Sequence, residues 1–346
     1  MMAFFRRRSP QISDPRPAIA EFWAFWAAHR DDVISAVADV RADELRALLR
    51  PAVAAIDEKL EWEVARGTTK RFTLVVSSAD GPTLRALAER WLLAAPDDPD
   101  VEFAATRRRD LEAFESTVLK IDDYDIHLGE LVAGTHVDHT TGKLDVVVHH
   151  PLYPLLEETH RIQVGFLGLD AALGEDDVER WLGTVEVSAD APVDAIPVAT
   201  LGAVVDQLRP SADQWAALQG QGPSGPVFAL VRRPFGRVDR PLADLHVRVV
   251  LEYPANANGM PSDPDVAVET EQFEERALEA IGGDGPHAVH IGHVTGGGEV
   301  VIHFYVDELE VDPAALEPVV RGWKRGRSEM SVTPDPDWSG VSPFLT

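Results

Sequence analysis

The stretch "HVDHTTGKLDVVVHH", residues 136–150, holds four of the chain's twelve histidines and two of its aspartates. Imidazole and carboxylate groups are ligands for zinc and manganese, and a metal held by them could activate a water molecule for hydrolysis. The sequence contains no HExxH string, so the spacing within this stretch carries the metal hypothesis alone. The candidate ligands are His136, Asp138, Asp145 and His149.

A β-hairpin would bring these side chains together. A two-residue turn at Thr141-Gly142 predicts that Asp138 lies opposite Asp145 and His136 opposite Val147. Because side chains alternate along a strand, the four candidate ligands then share one face, and the other face is apolar. A hairpin with a valine core on one side and water on the other has the same pattern, so both interpretations stay open.

A second candidate site lies on the hairpin predicted at 287–306. If even-numbered residues pair with even ones, His290 faces the helices and His293 faces away from them. A turn one residue shorter would place His290 on the open face in place of His293. With the neighbouring strand, the predicted binding face comprises His246, Arg248, His293, His303 and Tyr305. This mixture of basic and aromatic groups suits protein recognition, while the alternatives are packing against the N-terminal half or a catalytic site.

Composition restricts the classes of partner. The formal net charge is −26 and the pI is about 4.7, which disfavours binding to nucleic acids or anionic membranes and favours cationic partners. The sequence has no cysteine, which excludes thiolate nucleophiles and cysteine-ligated metals. No signal peptide or apolar membrane span is recognisable, so we expect a cytoplasmic protein. The arginine- and alanine-rich composition indicates a bacterial protein.

The pattern along the chain predicts an α+β protein. We expect a flexible arm over 1–16, an N-terminal α/β half over 17–220 with a mixed or antiparallel sheet, and a connector over 221–243. Residues 244–346 show the order βαββαβ, which predicts a ferredoxin-like sandwich with two helices on one face of a four-stranded antiparallel sheet.

The C-terminal region also carries a family resemblance. "NGMPS", "HIGHVTGGGEVVIHFYV" and "DPDWSGVSPFL" are similar to the bacterial family called domain of unknown function 695, over roughly residues 244–346. The first two hundred residues, with "FWAFW" and "LGEDDVERW", resemble uncharacterised regions that accompany this family in actinobacteria. The resemblance implies a ferredoxin-like fold and no established chemistry. In its fold order the region also resembles the regulator of ribonuclease activity B, an acidic protein that binds an enzyme.

Two further motifs are better explained without a ligand. The acids of "GEDDVERW", residues 174–181, could attract Mg²⁺, but acids in a first helical turn are favourable by themselves. Residues 220–225 match G-x-G-x-x-G, but no strand–helix context accompanies them in the predicted connector.

The preferred function is therefore a non-catalytic binding or regulatory protein without a cofactor, whose protein partner is basic. The rival is a zinc- or manganese-dependent hydrolase that uses the stretch at 136–150. A third possibility is an immunity-type protein that neutralises a basic toxin.

Overall fold

The computed structural model describes residues 14–78, 81–209 and 214–345. The chain has a mixed α+β fold with several sheets. The described helices are α1 (Arg16–Ala38), α2 (Ala42–Ala54), α3 (Arg85–Leu93), α4 (Leu111–Ser116), α5 (Glu158–Leu173), α6 (Glu175–Trp181), α7 (Leu201–Leu208), α8 (Asp265–Ala280), α9 (Glu317–Arg321) and α10 (Ser342–Leu345). The described strands are β1 (Glu61–Arg66), β2 (Phe72–Ser77), β3 (Val101–Ala104), β4 (Val118–Ile121), β5 (Tyr124–His127), β6 (Val132–Asp138), β7 (Lys143–His149), β8 (Leu182–Val187), β9 (Ile196–Pro197), β10 (Gln214–Gly222), β11 (Gly225–Arg233), β12 (Leu245–Glu252), β13 (Ala288–Gly296), β14 (Glu299–Val306) and β15 (Ser328–Pro334).

The chain divides into two compact units that are discontinuous in sequence. The first unit holds the described residues up to Ala105 together with Ala216–Val231 and Arg240–Phe344, and the second holds Thr106–Trp215 and Arg232–Asp239. The division predicted from the sequence differs from this one, because residues before 106 group with the C-terminal sheet. Of the predicted arm over 1–16, residues 1–13 lie outside the described part of the chain, and α1 already begins at Arg16.

The N-terminal part of the first unit is built on an aromatic core. In its three-stranded sheet, β1 and β2 are antiparallel while β2 and β3 are parallel, with α3 as the crossover. Helical spacing places Phe22 and Trp26 of α1 on the buried side. The ring of Trp23 stacks on that of Trp91 at 4.9 Å, so the aromatic run of α1 mainly serves packing.

The first unit also contains a six-stranded sheet of order β10-β11-β13-β14-β12-β15. Each neighbouring pair from β11 to β15 is antiparallel, so β12 and β13 run parallel with β14 between them. Helix α8 contacts β13, and α9 contacts β15. Their apolar sides, including Phe273 of α8, bury the apolar face of the sheet, which includes Val247, Val249, Ile302 and Phe304.

The predicted connector over 221–243 contains β11, which belongs to this sheet. The residues that match G-x-G-x-x-G form the turn between β10 and β11 and the ends of both strands, so no helix follows them as a dinucleotide site would require.

The second unit is built around a four-stranded sheet of order β8-β7-β6-β9 and a separate β4–β5 hairpin. The apolar face of β7 packs with the inner side of α5 in one core that includes Leu144, Val146, Val148, Val164 and Leu169. No helix within the described residues is long and apolar enough to cross a bilayer.

Candidate functional site

The β6–β7 ribbon has the predicted faces but not the predicted pairs. His136 lies opposite Asp145, and Asp138 lies opposite Lys143. The predicted register is therefore wrong by two residues, because four residues rather than two connect the strands. The carboxylate of Asp138 stabilises this longer turn by accepting hydrogen bonds from Thr140 N and Thr141 Oγ1, each at 2.8 Å. A shift of two is one full repeat of a strand, so the side chains keep their faces.

The structure does not gather the four candidate ligands of this ribbon into a metal site. His136 is exposed. The carboxylate of Asp145 accepts a hydrogen bond from Thr184 N at 2.7 Å, and Nδ1 of buried His149 lies 3.0 Å from Ser188 O. Across the described residues, no group of three or more His, Cys, Asp or Glu side chains could hold a metal ion.

A β-bulge changes the predicted faces of the β13–β14 ribbon. Near the turn, His293 lies opposite Ile302, whereas beyond an irregularity between His290 and Gly292, His290 lies opposite Phe304. Ile302 and Phe304 both belong to the core beneath α8 and α9. The bulge therefore places both histidines on the helix face, so the prediction of His293 in the open binding face is wrong.

On the helix face the two histidines meet a glutamate of α8. Nδ1 of His293 donates to Oε1 of Glu274 at 2.6 Å, and Nε2 of His290 lies 3.4 Å from the same oxygen. Burial alone would raise the pKa of Glu274, but hydrogen bonds from His290 and His293 outweigh it and hold this pKa at about 2. Glu274 is therefore ionised near neutral pH.

On the other face, His246, His303 and Tyr305 lie together as predicted, but they are not accessible. Their exposed fractions are 6%, 6% and 0%, whereas Arg248 is exposed. The covering element is residues 335–344, which we call the C-terminal strap. Its Trp338 ring stacks on Tyr305 at 4.4 Å, and the stack continues to His246 at 4.7 Å and from there to His303 at 5.2 Å.

Polar contacts fasten the strap to this face. The carboxylate of Asp335 accepts a hydrogen bond from Tyr305 Oη and another from Gly340 N at 2.9 Å. Trp338 Nε1 donates to Ala243 O at 2.8 Å. A Cβ atom at Gly340 would lie 2.7 Å from His246 Nδ1, so only glycine fits at this position without a shift.

The stacked imidazoles are held neutral. Burial lowers the pKa of His246, and burial together with neighbouring positive groups lowers that of His303 to about 3. The two rings share a hydrogen bond, with His246 Nε2 and His303 Nδ1 3.0 Å apart. Burial also raises the pKa of Tyr305. Of the predicted binding face, His246, His303 and Tyr305 thus form a closed core of stacked, uncharged rings, and Arg248 is exposed.

The predicted connector instead supplies an exposed apolar surface. On β11, Phe228 lies opposite Thr295 and Leu230 opposite His293, so both lie on the same side of the sheet as α8. Their exposed fractions are 41% and 38%. The apolar run "PVFALV" is the sequence signal that could have identified this strand, since such runs flanked by glycine are typical of strands.

Acidic residues of α8 border this surface. Glu274, one turn from exposed Glu271, contacts His293, which is the neighbour of Leu230 across the sheet. Because positions three apart share a side of a helix, exposed Glu271 lies on the same side of α8 as Glu274. We call the surface formed by Phe228, Leu230 and Glu271 the β11–α8 surface.

Comparison with known proteins does not assign the chain to a family. No family model matches the chain, and neither a curated protein nor a solved structure matches it significantly.

Proposed function

We propose that this chain is a binding or regulatory protein, not an enzyme, that recognises an amphipathic basic segment of a partner protein. The segment lies on the β11–α8 surface, with apolar side chains on Phe228 and Leu230 and lysine or arginine side chains along exposed Glu271. The observation that carries this proposal is the pair of exposed apolar side chains beside an acidic helix.

The geometry of the sheet supports this assignment. Helix α8 contacts β13, and α9 contacts β15. In the sheet, β11 lies next to β13 on the side away from β14, and β10 forms the edge beyond β11. A partner helix could therefore pack beside α8 and bury apolar surface at roughly 25 cal/mol per Å². The net charge of −26 would steer a basic partner towards the chain.

We also propose that residues 244–346 have a ferredoxin-like fold. The split arrangement of β12, α8 and β13 around β14, with β15 beside β12, supports this class. The same region carries the resemblance to the domain of unknown function 695 family, and the proposed location of the chain is cytoplasmic.

Binding of a defined peptide tests the proposal. The probe is a fluorescent amphipathic helix of leucine and lysine, measured by anisotropy against the wild type and the double variant Phe228→Ser/Leu230→Ser. We expect the double variant to bind at least about tenfold more weakly, because each exposed apolar side chain contributes on the order of 1 kcal/mol of contact.

Two controls separate this surface from general attraction to an acidic protein. Val193→Ser removes an apolar side chain that is 88% exposed elsewhere and should leave the affinity unchanged. A leucine–glutamate helix should not bind. Equal affinities for the wild type and the double variant would exclude the β11–α8 surface as the binding site.

A further inference from the structure

The second unit contains an open cavity of about 360 Å³ whose walls are mostly charged. Four arginines and three aspartates line it, with Thr106, Leu173 and Gly174. A concentration of guanidinium groups stands out in a chain of net charge −26. We call this cavity the arginine pocket, and its central residues are Arg107, Arg108, Arg109, Arg209, Asp177 and Asp206.

Two of these arginines share the same two carboxylates unequally. Arg209 donates to Asp177 at 2.6 Å from Nη2 and to Asp206 at 3.0 Å from Nε. Arg109 reaches the same groups only at 3.4 Å and 3.5 Å. A guanidinium group has five N–H donors, so these two long contacts leave Arg109 with capacity for a stronger acceptor.

The backbone of α7 makes room for Arg109. A Cβ atom at Gly202 would lie 2.4 Å from Arg109 Nη1, so any other residue there would push the guanidinium group away. The acids of the stretch at 174–181 act within this arrangement, because Glu175 pairs with Arg107 at 3.2 Å and Asp177 pairs with both Arg109 and Arg209. They orient arginines rather than offering a free carboxylate cluster for Mg²⁺.

We propose that the arginine pocket binds the phosphate group of a small molecule. Planar guanidinium groups match phosphate oxygens with two parallel hydrogen bonds, and such charge-assisted bonds are stronger than the long contacts of Arg109. The volume lies at the lower end of the range for small-ligand cavities. The aspartates hold the arginines in place, and their carboxylates can accept hydrogen bonds from hydroxyl groups of the same ligand. The site lies within the second unit and does not depend on the β11–α8 surface.

Isothermal titration calorimetry with inorganic phosphate and with pyrophosphate tests this proposal on the full chain. Calorimetry is preferred to thermal shift because phosphate also stabilises proteins through exclusion from their surface. We expect saturable binding that weakens as salt is added, and tighter binding of pyrophosphate because it carries more charge. Arg109→Gln should weaken binding at least about tenfold.

Matched variants distinguish a ligand site from a purely structural ion network. Arg321→Gln removes an exposed arginine that pairs with Glu317 and should leave binding unchanged. Arg209→Gln provides a second loss variant if Arg109→Gln does not fold. Absence of saturable heat with the wild type, or unchanged affinity in the arginine-pocket variants, would overturn the proposal.

Discussion

The β6–β7 and β13–β14 ribbons have the same kind of sequence pattern, but they respond differently to an error in register. In β6–β7 the turn is two residues longer than predicted, and the faces are unchanged. In β13–β14 a bulge of one residue between His290 and Gly292 moves His293 to the opposite face from the predicted one.

The contrast shows that the parity of a register error matters more than its size. Side chains repeat every two residues along a strand, so a shift of two is silent and a shift of one inverts every side chain beyond it. The ribbons also differ in what covers their polar faces. His136 of β6–β7 is exposed, whereas His303 and Tyr305 of β13–β14 are buried beneath the C-terminal strap.

A substitution in the C-terminal strap is therefore expected to cause the largest loss in the free energy of unfolding. Trp338→Ala removes a buried ring that stacks on Tyr305 and donates to Ala243 O, and it should lower the free energy of unfolding by about 3 to 5 kcal/mol. Guanidinium chloride unfolding measures this change. The control Trp215→Ala removes a half-exposed tryptophan and should cost less than about 1 kcal/mol. Equal losses in the two variants would contradict the closed strap.

A smaller effect is expected on the helix face of the same ribbon. The pKa of Glu274 is lowered from 4.5 to about 2, so the ionised carboxylate stabilises the fold above pH 4.5, and this stabilisation is lost as the pH falls towards 2. Glu274→Gln should cost about 2 to 3 kcal/mol near neutral pH and progressively less below pH 4.5.

Urea unfolding as a function of pH measures how the difference in the free energy of unfolding between Glu274→Gln and the wild type shrinks at low pH. Glu275→Gln, at an exposed position of the same helix, is the control and should follow the wild type. If the free energy of unfolding of Glu274→Gln stays a constant amount below that of the wild type down to pH 2, His290 and His293 do not lower the pKa of Glu274 as the bulged register requires.

The smallest effect is expected on the β6–β7 ribbon. His136 is exposed, so His136→Ala should change the free energy of unfolding by less than about 0.5 kcal/mol. Measuring both proteins with and without zinc sharpens the comparison. A zinc-dependent stabilisation of the wild type that His136→Ala abolishes would restore the metal hypothesis for this ribbon.

Local patterns predicted much of the secondary structure. The strand–helix–strand order of β2, α3 and β3 and the βαββαβ order of the C-terminal region follow from alternation, helical spacing and turn residues. The β10–β11 hairpin was missed because prolines and glycines around it are typical of connectors, although "PVFALV" has the composition of a strand.

The candidate sites were harder to predict, because they depend on distant partners. His246, His303 and Tyr305 were correctly grouped on one face, since their strands alternate regularly. Their burial depends on Trp338 and Asp335, thirty or more residues further along the chain, which no local pattern connects to them. The arginine pocket likewise combines residues 106–109, 173–177 and 206–209, each of which resembles an ordinary charged surface segment by itself.

The sequence by itself determined the order of most elements and many of the aliphatic residues that enter the cores, because burial of apolar side chains follows the short repeats of helices and strands. Only the tertiary structure decided the bulge at Ile291, the closure of the strap and the pairing of arginines with aspartates. These features depend on contacts between segments far apart in the chain, and the free energy of such contacts is set by where the whole fold places each side chain.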